Sequence, residues 1–464
     1  MNSYSSVKEL MNSLQGIVHI ADGQLQVRDE QKLRSQAIDS LVYSAVFGSD
    51  EVKAAARWII WDSGQQLGVL PSSIQGLYEA RGRGEAGGGY TVPAMNLRAL
   101  TYDIGRAAIR AALQHKVGAF IFEIARSEMG YTDQRPDEYA TVLIAAAIRE
   151  GFRGPLFVQG DHFQANRKRW EKDAAAEIDG IKKLIDEAIP AGFYNIDIDT
   201  STLVDLSQPT VDAQQHNNFA NAADLTAYIR SREPKGITIS VGGEIGEVGG
   251  KNSTPEELDA YMKGYLEELR RKGGDLKGIS KISIQTGTEH GGVVLPDGRI
   301  ADVALDFNVL KRLSEMARSR YGLAGAVQHG ASTLPDEAFH KFVEAECAEV
   351  HLATAFQNML YESPNFPDVL RQQMYDYLHR ELADQKKEGQ TEEQFIYKTR
   401  KNALGPFKRQ LWDLPQETRD TLGKELEAKF AFYYQQLAVG NTRDLVDRWV
   451  KPVHVGRPMP DSLK

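Results

Sequence analysis

The sequence predicts an α/β protein built on a (β/α)8 barrel (a TIM barrel) with helical extensions at both ends. Three observations carry this. Between about residues 90 and 356, eight short apolar or alternating runs appear, each followed by a stretch with helical periodicity. Such alternation means parallel strands joined by crossovers. Eight units in about 265 residues match the size and count of a closed barrel. An open doubly wound sheet fits less well, because no Gly-rich dinucleotide fingerprint follows the first run.

Residues 1–85 read mostly as helix. Leu33, Ala37, Leu41 and Ala45 recur at helical spacing, and KAAARWIIWDSG continues as a second helix. The segment RGRGEAGGG at 81–89 breaks the pattern and places a boundary there. The barrel is expected over 86–358. Its strands are YTVPAMN (90–96), AFIFEI (119–124), LFVQGDH (156–162), YNIDID (194–199), TISVGGEI (238–245), KISIQTG (281–287), AGAVQHG (324–330) and EVHLAT (349–354). Helical patterns such as AAAEIDGIKKLIDEAIPAG lie between them, and several end in Gly just before the next strand, as a helix C-cap does. Residues 359–464 return to helix, rich in charge and aromatics. They read as a cap or oligomerisation extension without a site-like cluster.

Acidic residues outnumber basic ones by 64 to 55 over 464 residues, a net charge of −9. That argues against a nucleic-acid partner, which requires a basic field, but leaves room for a local basic pocket that takes a phosphorylated small molecule. The single cysteine, Cys347, excludes an intramolecular disulfide and a Cys-based zinc site. No run reaches the ~20 apolar residues of a membrane helix. The N-terminus lacks a charged-then-apolar signal arrangement. A cytoplasmic homo-oligomer with no membrane partner is expected.

In a barrel the C-terminal ends of all strands converge on one face. Asp161 and His162 close the third run, Glu244 ends the fifth, His290 follows the sixth, and His329 closes the seventh. Three neutral imidazoles around an open position suit Zn²⁺, or another divalent metal, acting as a Lewis acid. Glu244 can join them or hold a nearby alternative position. His19, His115, His216, His340, His379 and His454 read as structural or surface residues. Asp161 either moves a proton on the substrate or orients an imidazole. Neighbours at a strand end point in different directions, so Asp161 need not bind the metal. Glycines at 243, 246, 249–250, 291–292 and 330 let backbone approach a ligand, with Ser332 and Thr354 as hydroxyl donors to a phosphate. Alternatively, those glycines only make tight turns.

VPAMN, GDH at 160–162, IDTS at 198–201, GGEIGEVGG, GTEHG and HGAST resemble, in order, six motifs of the class II, metal-dependent ketose-bisphosphate aldolases. The resemblance covers the whole expected barrel. It implies metal ligation by His162, His290 and His329, with Glu244 at a second or alternative metal position. It implies Asp161 as the group that handles a hydroxyl proton, and phosphate binding at Gly291, Gly330, Ser332 and Thr354. His351 stands where the family has an Asn against the substrate's carbonyl region. Lys251 and Asn252 follow Gly249-Gly250 where acidic residues are usual; Lys251 can serve a phosphate and Glu247 can take the acidic role. A second resemblance, GDHFQANRKRW, is similar to a stretch of the accessory subunit of tagatose-bisphosphate aldolase, which also has a long helical C-terminal part but lacks the full metal trio. The expected activity is reversible cleavage of a phosphorylated ketose to dihydroxyacetone phosphate and an aldehyde. A non-catalytic accessory subunit and a metal-dependent sugar-phosphate isomerase or epimerase are the alternatives.

Overall fold

The computed structural model describes residues 2–246, 251–287, 295–296 and 305–464. Eight parallel strands form the central sheet: β1 (Val92–Asn96), β2 (Ile121–Ala125), β3 (Gly154–Gln164), β4 (Asn195–Asp199), β5 (Ser240–Glu244), β6 (Lys281–Ile284), β7 (Ala326–Gln328) and β8 (Glu349–Leu352). Each pairs with the next, and β8 pairs with β1 through His351 opposite Ala94, which closes the barrel. All eight expected runs are therefore strands. β1, β2, β4, β5 and β8 are buried at every residue. Burial on both faces is why parallel strands read as apolar runs rather than as strict alternation.

The crossover helices Pro136–Glu150, Ala174–Ala191 and Phe307–Tyr321 end at Gly151, Gly192 and Gly322, each in the left-handed region. Glycine takes that conformation without the Cβ clash other residues meet, so it turns the chain into the next strand.

The N-terminal segment is less helical than its periodicity suggests. Helices Ile38–Phe47 and Asp50–Leu67 are present, but so is an antiparallel hairpin of Val18–Ala21 with Gln24–Val27. A further strand, Val69–Ser72, follows the helix stop at Gly68 and pairs in parallel with the first half of β3. Four residues carry too little pattern to be read alone, and their partner lies some 85 residues on, as the pairing of Val69 with Gly154 shows.

The C-terminal segment wraps the barrel. Helix Gln416–Gln436 lies on Thr101–Gln114, where Arg419 grips the buried Asp103 at 3.1 Å and Arg110 reaches Glu427 at 2.7 Å. The final residues return to the N-terminal helix: Trp61 Nε1 donates to the Val455 carbonyl at 2.8 Å and Trp58 Nε1 to that of Arg457 at 3.1 Å. One apolar core runs through extensions and barrel alike. Among the described residues, no helix is long and apolar enough to cross a membrane.

Candidate active site

The site starts from an irregularity in β3. Its register against β4 breaks between Gly160 and Phe163, and His162 takes a positive φ of 41°. A bulge of this kind inserts residues that the partner strand does not match and re-aims their side chains. Asp161 and His162 consequently turn to the same side, with Asp161 Oδ1 3.7 Å from His162 Nε2. Strict alternation would have sent them to opposite faces. Gly160 is required beside the bulge, because a Cβ there would lie 2.3 Å from the Phe163 ring.

His329, at the end of β7, brings its ring to 4.2 Å from that of His162, tilted rather than stacked. Asp161, His162 and His329 each present one donor atom within 4.8 Å of the others. Two imidazole nitrogens suit a divalent metal such as zinc, with a carboxylate oxygen beside them. The opposite edge of the His162 ring is held by carboxylates: Nδ1 lies 2.9 Å from Asp199 Oδ2 and 3.3 Å from Glu244 Oε2. An imidazole whose Nδ1–H is fixed on a carboxylate presents Nε2 as its ligand atom. Glu244 thus faces the far edge of the ring from Asp161 and His329. It belongs to a separate candidate group with His162 and Asp199.

Asp161 is oriented from β1. Asn96 Nδ2 donates to Asp161 Oδ2 at 2.9 Å and to Glu128 Oε2 at 2.8 Å. Glu128 also accepts from Arg98 Nε at 2.6 Å. From β8, His351 places Nδ1 3.0 Å from Glu123 Oε1 and 3.3 Å from Asp161 Oδ1, and Nε2 2.8 Å from Glu349 Oε1. Its ring packs 4.0 Å from that of His329. Both nitrogens of His351 are therefore engaged by carboxylates.

Beneath these residues lies a buried polar network inside the barrel. Lys281 Nζ donates to Asp197 at 2.9 Å, to Gln159 Oε1 at 2.8 Å and to Glu349, which also accepts from the Tyr78 hydroxyl. Gln159 Nε2 donates to Glu123 and Glu349 at 2.8 Å each. Glu123, Asp161, Asp197 and His351 form a third group of converging donor atoms.

Burial and charge set the protonation here. Burial works to raise the Asp161 carboxyl, but the charges of His162 and His351 outweigh it and hold it well below the usual carboxylate range. Burial likewise opposes charge on His162, yet Asp161 and Glu244 raise it above an ordinary imidazole. Glu244 is pushed up to about 8 by burial and then by the Asp199 charge. Burial raises Glu123 to about 8 and Asp197 to about 6.

A cavity of about 470 Å³ opens above Asp161, His162, His329 and His351. Gly330 (φ 70°) and Ser332 line it from the turn after β7, and Thr354 from the start of helix Thr354–Glu362. Ser332 Oγ accepts from the Ala353 backbone N–H at 2.8 Å, tying the two turns together. The C-terminal extension also reaches the cavity, through Tyr397, Lys398 and Lys401. This corrects the expectation that the extension carries no site-like cluster: its lysines sit in a charged helical pattern and only the fold shows what they overhang.

His290 and Gly291, like Glu247, Gly249 and Gly250, lie outside the described residues. Lys251 does not line the cavity; its Nζ pairs with Glu257 at 2.9 Å. Gly243 makes room for the Tyr261 hydroxyl, which a Cβ would approach to 2.6 Å, so its use is packing within the barrel. In GDHFQANRKRW, Asn166 caps helix Arg167–Lys172 and Trp170 packs on the core, so both have structural duties.

The sequence matches the model of the class-II fructose-bisphosphate aldolase family over residues 84–408. No curated protein matches it. Among solved structures, a "probable tagatose 6 phosphate kinase" from Sinorhizobium meliloti 1021 is 18% identical with a TM-score of 0.51, covering 77% of this chain and 93% of that one. The fructose-bisphosphate aldolase of Campylobacter jejuni is 17% identical, with 81% and 98% covered and a TM-score of 0.46. The fructuronate-tagaturonate epimerase UxaE of Cohnella laeviribosi is 14% identical, with 79% and 82% covered and a TM-score of 0.46. At these identities the likeness is one of fold. The family model spans the whole barrel and the start of the C-terminal segment, and the chain belongs to the class-II fructose-bisphosphate aldolase family.

Proposed function

We propose that this protein is a metal-dependent aldolase that reversibly cleaves a phosphorylated ketose, of the fructose- or tagatose-bisphosphate type, to dihydroxyacetone phosphate and an aldehyde. The observation that supports this most is the convergence of Asp161, His162 and His329 at the floor of one cavity. His162 and His329, with His290 from the segment after β6, would hold the metal. When bound, such an ion supplies Lewis-acid stabilisation of the oxyanion charge that develops on cleavage.

The side chains divide the remaining work. Asn96 fixes one oxygen of Asp161, and His351 beside it favours the ionised carboxyl. An ionised carboxylate only accepts, so Asp161 is ready to take the proton of the substrate's C4 hydroxyl as the C3–C4 bond breaks. His351, with both nitrogens on carboxylates, acts as a positioning residue for Asp161 rather than as a phosphate ligand. Gly330, Ser332 and Thr354 surround the turn where a substrate phosphate would meet backbone N–H groups. Asp199 and Glu244 hold the outer edge of His162.

Product analysis tests the reading. The purified chain, loaded with Zn²⁺, is incubated with fructose 1,6-bisphosphate and with tagatose 1,6-bisphosphate. Triose phosphate release is expected from at least one. An isomerised hexose without triose would assign proton transfer alone. No reaction, together with a chain that binds no metal, would assign an accessory role.

A further inference from the structure

The C-terminal extension does more than cover the barrel. Helix Glu392–Thr399 and the turn Arg400–Ala403 are clamped onto helix Thr354–Glu362, which follows β8 directly. Arg400 donates to Asn358 Oδ1 at 2.5 Å and Glu362 Oε1 at 2.9 Å. Asn358 Nδ2 donates to the Tyr397 hydroxyl at 3.0 Å, and the Tyr361 hydroxyl donates to the Arg400 carbonyl at 2.8 Å. The Arg400 guanidinium stacks on Tyr397 at 4.6 Å and on Tyr361 at 5.2 Å. These contacts fix Tyr397, Lys398 and Lys401 over the mouth of the cavity that Asp161 and the imidazoles floor.

The charge balance at this mouth is uneven. Arg98, on the cavity wall, is matched by Glu128 at 2.6 Å. Among the described residues, neither Lys398 nor Lys401 has a carboxylate within ion-pair distance; Lys401 instead lies over the Tyr131 ring at 5.3 Å. Lys398 at the end of the helix and Lys401 on the turn put two ammonium groups beside a polar cavity, with no carboxylate among the described residues at ion-pair distance, and complement a dianion better than a single carboxylate. Crowding at the rim, and then the Arg98 charge, also pull the Lys401 ammonium below the usual lysine range, which is the direction an anion would reverse.

We propose that Lys398 and Lys401 form a second anion subsite, at the cavity mouth, that binds a terminal phosphate monoester on the end of the substrate remote from Gly330, Ser332 and Thr354. The extension is on this view a specificity element of the active site. The inference rests on the aldolase reading for the identity of the sugar, but not for the existence of the subsite.

The test is designed so that the two can fail separately. Inorganic phosphate, and separately fructose 1,6-bisphosphate, fructose 1-phosphate and glucuronate, are titrated into the full-length metal-free chain by calorimetry. The proteins are wild type, K398A/K401A and K398R/K401R. Both lysines are exposed, so the variants are expected to keep the wild-type melting temperature. The alanine pair should remove one of two phosphate sites and weaken bisphosphate binding about tenfold or more, with the arginine pair restoring it to within about threefold. Fructose 1-phosphate, which lacks the remote phosphate, should change less than about twofold. Where cleavage of the bisphosphate is measurable, the alanine pair should raise KM and leave kcat nearly unchanged. Equal loss for the bisphosphate and the 1-phosphate, or an unchanged number of phosphate sites, overturns the subsite whether or not the chain is an aldolase. A loss confined to glucuronate overturns the assignment to phosphate in favour of a carboxylate.

Discussion

Asn96 Nδ2 lies 2.9 Å from Asp161 Oδ2, so an amide at the end of β1 orients the carboxylate that the β3 bulge turns into the cavity. The same amide donates to Glu128, which fixes its flip and leaves it one orientation. Replacing Asn96 by Ala should lower kcat by about 10- to 100-fold while leaving bound metal near the wild-type level. Metal analysis beside steady-state kinetics checks this. Loss of metal in parallel with rate would show that Asn96 holds the site as a whole instead of orienting Asp161.

Asp161→Ala should cost about 10²- to 10⁴-fold in turnover, the range for removing a positioned proton-transfer group. His329→Ala should instead remove metal and activity together. Unchanged turnover in the Asp161 variant would return that residue to a purely structural role.

Gly160→Ala tests the bulge. The added Cβ would sit 2.3 Å from the Phe163 ring, and that ring is fully buried. Overpacking of this kind costs about 1–3 kcal/mol. A lower melting temperature and a loss of metal affinity are expected, since the residue shapes the turn that presents Asp161 and His162.

Metal binding should strengthen as pH rises. In the metal-free chain the His162 imidazole is raised above its ordinary value and Glu244 to about 8, so both hold protons near neutrality. A metal ligand must give its proton up, and charged His162 competes directly with the cation. Apparent affinity is therefore expected to climb as pH rises past neutrality and through about 8, where Glu244 titrates, with proton release on binding. Glu244→Gln should flatten the upper part of that climb. A flat profile in wild type would contradict the arrangement of His162 between Asp161 and the Asp199–Glu244 pair.

Arg419→Met tests how the extension is attached. It leaves Asp103 buried with its nearest cation, Arg419 at 3.1 Å, removed. Breaking one side of a buried pair costs about 3–5 kcal/mol. The melting temperature should fall, and the surviving folded fraction should keep its kcat.

Much of the barrel was legible because its strands are buried on both faces and its helices stop at glycines such as Gly151 and Gly192. Strand Val69–Ser72 was not, because its pairing with β3 is non-local. The placement of His162 and His329 followed from strand ends converging on one face. Asp161 was expected at the substrate through the family resemblance, but the bulge that turns it to their side leaves no trace in a period of two. Glu123 and Glu349 are bridged by Gln159, and Glu349 accepts from Lys281, across the barrel interior from strands far apart in sequence. Read singly, each is only a polar group inside an apolar run. Lys398 and Lys401 share a helical pattern with ordinary surface charges, and only the Arg400 clamp shows that they face the cavity.

Metal-dependent aldol cleavage ties activity at this site to bound metal. The most direct measurement is the rate of triose phosphate release from ketose 1,6-bisphosphates by chain stripped with EDTA and then titrated with Zn²⁺. No release is expected from the stripped chain, and the rate should rise in step with bound metal. Release at the full rate from a chain shown to hold no metal would contradict this dependence.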